Sequence, residues 1–188
     1  MKLLITGGAG CLGSNLIEHL IDKTEQIIVI DNFSTGKKEV LPTNLPNLSV
    51  YEGSINDIEL LKKIFKKYQP SHVIHSAASY KDPDNWIEDV NTNIIGSINV
   101  GNLCKEFNVE LLINFQTALC YGIPSEIPIP LNHSTFPFTS YGISKTAGES
   151  YLLNLDLRVV SLRLANICAP RLSIGPIPTF YQRLKENK

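Results

Sequence analysis

Apolar positions along this chain follow two alternating rhythms. Short, nearly continuous β-branched runs alternate with longer stretches in which apolar residues recur every three or four positions. The runs Lys2–Thr6, Gln26–Asp31, 48–51, His72–His75, 110–115 and 158–163 predict six strands. Helical spacing over 12–22 runs through Leu12, Leu16, Leu20 and Ile21. A second helix begins after Asp57, its expected N-cap, and runs through Leu60, Leu61, Ile64 and Phe65. Pro70 breaks the chain before the next strand. Further helices are expected after Trp86, over 141–153 and over 178–188, while the Pro-rich residues 122–138 read as loop.

Strand–helix alternation with strands apolar on both faces predicts an α/β fold with a doubly wound parallel sheet. Ligands in such sheets lie beyond the carboxyl ends of the strands. The segments 7–13, 31–36, 75–80 and 116–122 are therefore where chemistry is expected.

The first of these reads TGGAGCLGSNL. Gly8, Gly10 and Gly13 fit G-x-G-x-x-G, and Gly7, Gly10 and Gly13 give the wider G-x-x-G-x-x-G spacing. The backbone there must turn tightly and approach a pyrophosphate with no Cβ in the way. An ordinary glycine turn is the alternative for such a motif alone. Its place between a strand and a helix points to dinucleotide binding in a Rossmann-type fold. Asp31 ends the second strand, 18 residues past Gly13. A carboxylate there accepts hydrogen bonds from ribose hydroxyls and repels a 2′-phosphate, which predicts NAD over NADP. A turn or cap residue in DNFSTG is the other reading, and Lys37 and Lys38 lie close by.

Tyr141 and Lys145 form Y-x-x-x-K, one turn apart on one helix face. A nearby ammonium lowers a phenol pKa that starts near ~10, so the tyrosine can act as a general base on a substrate hydroxyl. By itself the pattern is weak, and a Tyr stacked on a Lys stem is its commoner outcome. Thr117, at the end of the preceding strand, adds a hydroxyl for the same substrate oxygen.

Composition narrows the classes. Seventeen basic and 18 acidic residues balance to a formal charge of −1, with no basic stripe on a predicted helix, so nucleic acid is not an expected partner. No apolar run approaches the ~20 residues of a membrane span, and no signal peptide is read at the N-terminus. Cys11, Cys104, Cys120 and Cys168 are scattered without C-x-x-C spacing, which argues against a disulfide framework or a zinc site and fits a reducing cytoplasm. No metal ligand set is expected.

The segments TGGAGCLG, DNFSTG, HSAAS, NTNIIGSINV, QTALCYG, YGISK and RLANICAPR, in this order, resemble the extended short-chain dehydrogenase/reductase superfamily, in its NAD-dependent epimerase/dehydratase branch. The resemblance covers almost the whole chain. It implies Thr117, Tyr141 and Lys145 as catalytic residues, with Lys145 also holding the nicotinamide ribose. It implies a cofactor site made of Cys11, Leu12, Asn32, Ser34, Thr35, Gly36, Ser54, Ile55, Ala77, Ala78, Ser79 and Asn93 beside Gly7, Gly10, Gly13 and Asp31. Asn166 matches a residue that contacts nucleotide-sugar phosphates. The simpler readings are close packing for Ala77 and Ala78, a helix distortion for Asn93, a turn cap for Asn166, and a structural strand end for His75. Two positions depart from the family: Ser54 stands in a segment where GDI is frequent, and Gln116 replaces a frequent Ser, a change expected to be tolerated.

Related dehydratases follow the catalytic Thr with Asp-Glu. Here Ala118 and Leu119 follow Thr117, and neither moves a proton. That favours oxidation at C4, turning of the keto sugar and re-reduction, the logic of a UDP-glucose 4-epimerase-like enzyme. SYKDP and FQTALCYG are similar to epimerases of bacterial surface-polysaccharide clusters. A net reductase or dehydrogenase, a dehydratase, and a non-catalytic NAD-binding module are the alternatives. Residues 1–166 are expected to form the cofactor domain, and 167–188 only the start of a C-terminal substrate lobe. From this shortness follows slow or absent turnover by residues 1–188 alone. The resemblance implies a UDP-linked sugar as the expected substrate and a homodimer through helices near 90–107 and 141–153 as a candidate assembly.

Overall fold

A computed structural model describes residues 1–186. Six strands form one parallel sheet: β1 (Lys2–Thr6), β2 (Gln26–Asp31), β3 (Leu48–Glu52), β4 (His72–His75), β5 (Leu111–Thr117) and β6 (Val159–Leu164). The strand order is β3-β2-β1-β4-β5-β6, every neighbour parallel. Six α-helices accompany it: α1 (Cys11–Leu20), α2 (Ile58–Tyr68), α3 (Trp86–Asp89), α4 (Ser97–Glu106), α5 (Ser140–Leu153) and α6 (Pro176–Lys185). The predicted doubly wound sheet is the observed one.

Alternation along the strands builds two cores. Leu3, Ile5, Ile27, Val29 and Ile74 face α1 and the turn that follows it, through Ile17 and Ile21. Leu4, Ile28, Ile30, Val73 and Leu112 face α2, α4 and α5, through Leu61, Phe65, Leu103 and Leu152. Each fully buried side chain of this kind is worth about 1.5–3 kcal/mol. The change of face follows from the topology. Right-handed crossovers that run outward from β1 to β3, and then return to β4 and run the other way, must cover opposite faces. The loops after β1 and β4 diverge at this reversal and open a crevice above the strand ends.

Local chemistry sets the helix starts. Asp57 caps α2 by accepting the Leu60 N–H at 3.0 Å, as expected. Thr139 caps α5 through the Gly142 N–H at 3.1 Å, which places Tyr141 in the first turn. The first helix differs from the predicted stripe. Its buried face carries Gly13, Ser14 and Ile17, while Leu16 and Leu20 pack only partly, because small residues let the helix settle close to the glycine turn. The helix ends at Leu20 and passes into a 3-10 turn over Ile21–Lys23.

The stretch after Trp86 is helical but not uniform. A π-helical segment, Val90–Gly96, joins α3 to α4. Residues 122–139 form no helix or strand, in line with their proline content. The helix expected over 178–188 spans Pro176–Lys185, and Asn187 and Lys188 lie outside the described residues. Between β6 and α6 the chain folds back onto α1. There Arg171 pairs with Glu18 at 2.7 Å and bonds Asn15 and Ser14 at 2.8 and 3.1 Å. Among the described residues no helix is long and apolar enough to cross a membrane.

Candidate active site

A cavity of about 800 Å³ follows the carboxyl ends of the strands, within the range of small-molecule sites. At one end it is lined by Gly7, Gly10, Cys11, Leu12, Asp31, Asn32, Ser34, Thr35, Ser54 and Ile55. Ala77, Ala78 and Ser79 form its middle, Thr117 and Tyr141 its other end, and Asn166 a side wall. The fold thus brings sixteen of the residues read from the sequence to one space.

The glycine turn is shaped for close approach. Gly7 sits at φ +67°, and a Cβ there would lie 2.7 Å from the Ala77 nitrogen. Asp31 closes the turn: its Oδ2 accepts the Ala9 N–H and its Oδ1 the Phe33 N–H, both at 2.8 Å. No side chain caps α1, whose N-cap is Gly10, so the first-turn amides remain free to hold an anion.

Four expected site residues lie behind the cavity wall. A Cβ on Gly13 would lie 2.6 Å from the Gly8 Cα, so Gly13 serves helix packing rather than contact with a ligand. A Cβ on Gly36 would lie 2.8 Å from the Ala9 backbone, so Gly36 lets the DNFSTG turn pack closely on the glycine loop. Asn93 is 1% exposed and its amide is fully spent. It accepts the Ser79 N–H and donates to the Ser79 carbonyl, both at 2.9 Å, and donates to Ser144 Oγ at 3.0 Å. Its place in the π-helical segment matches the helix-distortion reading, and it fixes Ser79 from behind. Lys145 is 4% exposed and sits beneath the floor, one turn past Tyr141.

The expected effect of Lys145 on the phenol does not appear. Burial pushes the Tyr141 hydroxyl up to about 12, and Tyr80 and Asp89 add to it. Burial likewise pushes Lys145 down to about 8, partly offset by Glu149. Desolvation outweighs any attraction within the pair, and both groups favour their neutral forms. Tyr80 lies edge-on to Tyr141, ring centres 6.3 Å apart. Asp89 accepts the Ser140 O–H at 2.7 Å through Oδ2, and its buried Oδ1 has no partner among the described residues.

His75 is structural, as read. Thr6 Oγ1 accepts the Ser76 and Ala77 N–H groups at 3.2 and 3.1 Å, so its own proton goes to His75 Nδ1 at 2.8 Å. His75 Nε2 then donates to Ser97 Oγ at 2.9 Å, and Ser97 donates to the Asn93 carbonyl at 2.7 Å. This order requires a neutral imidazole. Burial, aided by the Lys145 charge, pushes its pKa down to about 3.

Other residues at the cavity were not singled out for it from the sequence. Tyr80, Lys81, Asp82, Asn85, Glu88 and Thr92 line its reactive end, with Glu88 accepting the Thr92 O–H at 2.7 Å. The SYKDP segment was the signal for Tyr80, Lys81 and Asp82 and NTNIIGSINV that for Thr92, while Asn85 and Glu88 had none. Gln116 was read as a tolerated replacement, yet it is 2% exposed and bonded to both Thr117 and Lys145. Among the described residues no cluster of His, Cys, Asp or Glu could hold a metal ion.

Known proteins share this arrangement. A crystal structure of the Bordetella bronchiseptica enzyme WbmG in complex with NAD and UDP is 61% identical, with a TM-score of 0.93 over 99% of this chain and 60% of that one. UDP-glucose 4-epimerase from Thermotoga maritima, solved with UDP-glucose, is 32% identical, with a TM-score of 0.91 over 100% of this chain and 64% of that one. A putative UDP-glucose 4-epimerase of Methanocaldococcus jannaschii is 29% identical over 99% of this chain and 64% of its own length. The chain therefore spans somewhat less than two thirds of these relatives. The model of the NAD dependent epimerase/dehydratase family matches residues 3–188, and with its glycine cradle, Asp31 and the Thr117–Tyr141 end in one cavity, the chain belongs to that family.

Proposed function

We propose that this chain carries the cofactor and proton-transfer site of an NAD-dependent nucleotide-sugar epimerase, acting at C4 of a UDP-linked hexose. The carrying observation is the single cavity that joins a glycine cradle and a buried acid at one end to Thr117 and Tyr141 at the other. The fit to NAD rests on space and donors: a Cβ at Gly7 would strike the Ala77 backbone, and the first-turn amides of α1 are uncapped. Residues 7–12, Asp31, Asn32, Ser34 and Thr35 would hold the adenosine and pyrophosphate, and Ala77 to Ser79 the nicotinamide half. NAD supplies, when bound, the hydride acceptor and later the donor.

The protein's own part is proton handling and orientation. Tyr141 takes the proton from the C4 hydroxyl and returns it after the keto sugar has turned. The Thr117 hydroxyl steadies the same oxygen. The phenol, raised to about 12 by burial, would need a nearby positive charge to become a base at ordinary pH, and an oxidised nicotinamide would supply one. Ala118 and Leu119 put no acid next to Thr117, where related dehydratases carry Asp-Glu, which favours the epimerase reading. Asn166 lines the cavity, and it would contact the sugar diphosphate.

Residues 167–188 are read as belonging to a substrate lobe. A homodimer would use the exposed apolar residues Ile95, Ile143 and Tyr151 on the helices around α4 and α5. The cytoplasm suits the four free cysteines. The test is NMR of UDP-glucose, UDP-galactose and their N-acetyl forms with stoichiometric protein and NAD. Inversion at C4 without net NADH supports the epimerase. Accumulating NADH would indicate a dehydrogenase instead.

A further inference from the structure

Gln116 is buried at the end of β5, one residue before Thr117. Its Oε1 accepts the Thr117 N–H at 2.8 Å, and its Nε2 donates to the Lys145 carbonyl at 3.1 Å. The two partners fix the amide's orientation, because a flipped amide would set donor against donor and acceptor against acceptor. Gln116 also lies close enough to the Glu149 carboxylate to help hold it ionised. That carboxylate is held by Ser161 at 2.6 Å and Arg163 at 3.0 Å, and Arg163 reaches on to the Tyr121 hydroxyl at 3.2 Å. One side chain therefore ties the strand that ends in Thr117 to the helix that carries Tyr141 and Lys145. The Ser frequent at this position in the family would place its Oγ where Gln116 has Cγ, two bonds short of these atoms.

We propose that Gln116 is a positioning residue that sets the Thr117 hydroxyl against the Tyr141–Lys145 helix, an inference that rests on the epimerase reading above. The bridge is buried, so a Thr117 N–H left unpaired has no ready replacement partner, while the Lys145 carbonyl keeps only the bond it makes inside α5. Strand and helix would then settle at a separation set by packing rather than by the amide. An error of about 1 Å at a reacting centre can cost about a hundredfold in rate.

The test compares Gln116→Met and Gln116→Glu with the parent chain in kcat, in KM for the UDP-sugar and in NAD affinity. In Gln116→Met, kcat falls about ten- to a hundredfold, while KM and NAD affinity stay within about twofold. In Gln116→Glu, the new carboxyl faces the Glu149 carboxylate and the Lys145 carbonyl, with the Arg163 and Lys145 cations nearby. Its protonated form restores the donor, so kcat relative to the parent recovers as pH is lowered from about 8 to about 6. If Gln116→Met does not fold, this recovery decides the matter. A kcat within about twofold of the parent in Gln116→Met overturns the proposal, as does loss of NAD affinity together with rate. The bridge is also read without turnover, by amide exchange of the NAD-free protein. Gln116→Met speeds exchange at the Thr117 amide at least about tenfold and leaves Phe115 unchanged. Equal Thr117 exchange in both proteins overturns the bridge even if the chain turns over no sugar, whereas absent turnover with NAD bound counts against the epimerase reading alone.

Discussion

The Asp31 carboxylate accepts the Ala9 N–H at 2.8 Å across the turn that joins β1 to α1. The acid that would meet a ribose also holds the glycine loop in shape. Asp31→Asn replaces one acceptor oxygen by a donor that must face a backbone N–H. It should cost about 1–3 kcal/mol of stability and raise the affinity for NADP relative to NAD at least about tenfold, since the charge that repels a 2′-phosphate is gone. Paired NAD and NADP titrations at equal salt check this, and an unchanged ratio would remove Asp31 from cofactor choice.

The Tyr141 hydroxyl has a second neighbour that keeps it neutral, the buried Asp89. Tyr141→Phe should slow turnover by about 10²- to 10⁴-fold while NAD still binds. Asp89→Asn should lower the phenol pKa below about 12, and NAD should lower it further in the parent. Tyrosine ¹³C NMR, with Tyr141→Phe to assign the signal, follows both. A phenol that titrates alike with and without NAD would sink the base assignment.

Lys145 works against the fold. Its pKa in the folded chain lies near 8, against about 10.4 when unfolded. Between these values the unfolded chain binds the extra proton, so this contribution to stability rises with pH. Below about 8 both states carry the proton and the burial penalty is complete; above about 10.4 it has vanished. Lys145→Met should therefore stabilise the NAD-free protein at pH 7 by up to about 3 kcal/mol, a gain that fades by pH 10.5. Urea unfolding of both proteins across this range is the check, and a gain independent of pH would refute it.

Gly7 and Gly175 both have positive φ, +67° and +114°, but only Gly7 has neighbours within 4 Å of an added Cβ. Gly175→Ala should cost only the backbone strain, about 1–3 kcal/mol. Gly7→Ala adds an overlap with the Ala77 backbone, so it should cost more and weaken NAD binding as well. Thermal unfolding and NAD titration of the two variants would show equal losses if the cradle is not a close-approach site.

What could be read from the sequence is what local chemistry decides. The strands were legible because their apolar runs are continuous, the α2 start because Asp57 needs only Leu60, and the cradle because a tight turn demands glycine. The role of Gln116 and the partners of Asn93 and His75 were not, because those partners lie more than ten residues away. The π-helical segment, fitted against Gly148 and holding Asn93, leaves no mark in the apolar spacing. Y-x-x-x-K reveals the lysine but not the burial, which raises the phenol's pKa in the cofactor-free chain.

The most direct test of the account uses a UDP-hexose deuterated at C4, incubated for hours with stoichiometric, NAD-loaded protein in ordinary water. Hydride removal and return at one carbon predict inversion with deuterium still on C4 of both epimers and no net NADH. Hydrogen from solvent at C4, or no inversion of any UDP-hexose with NAD bound, would contradict it.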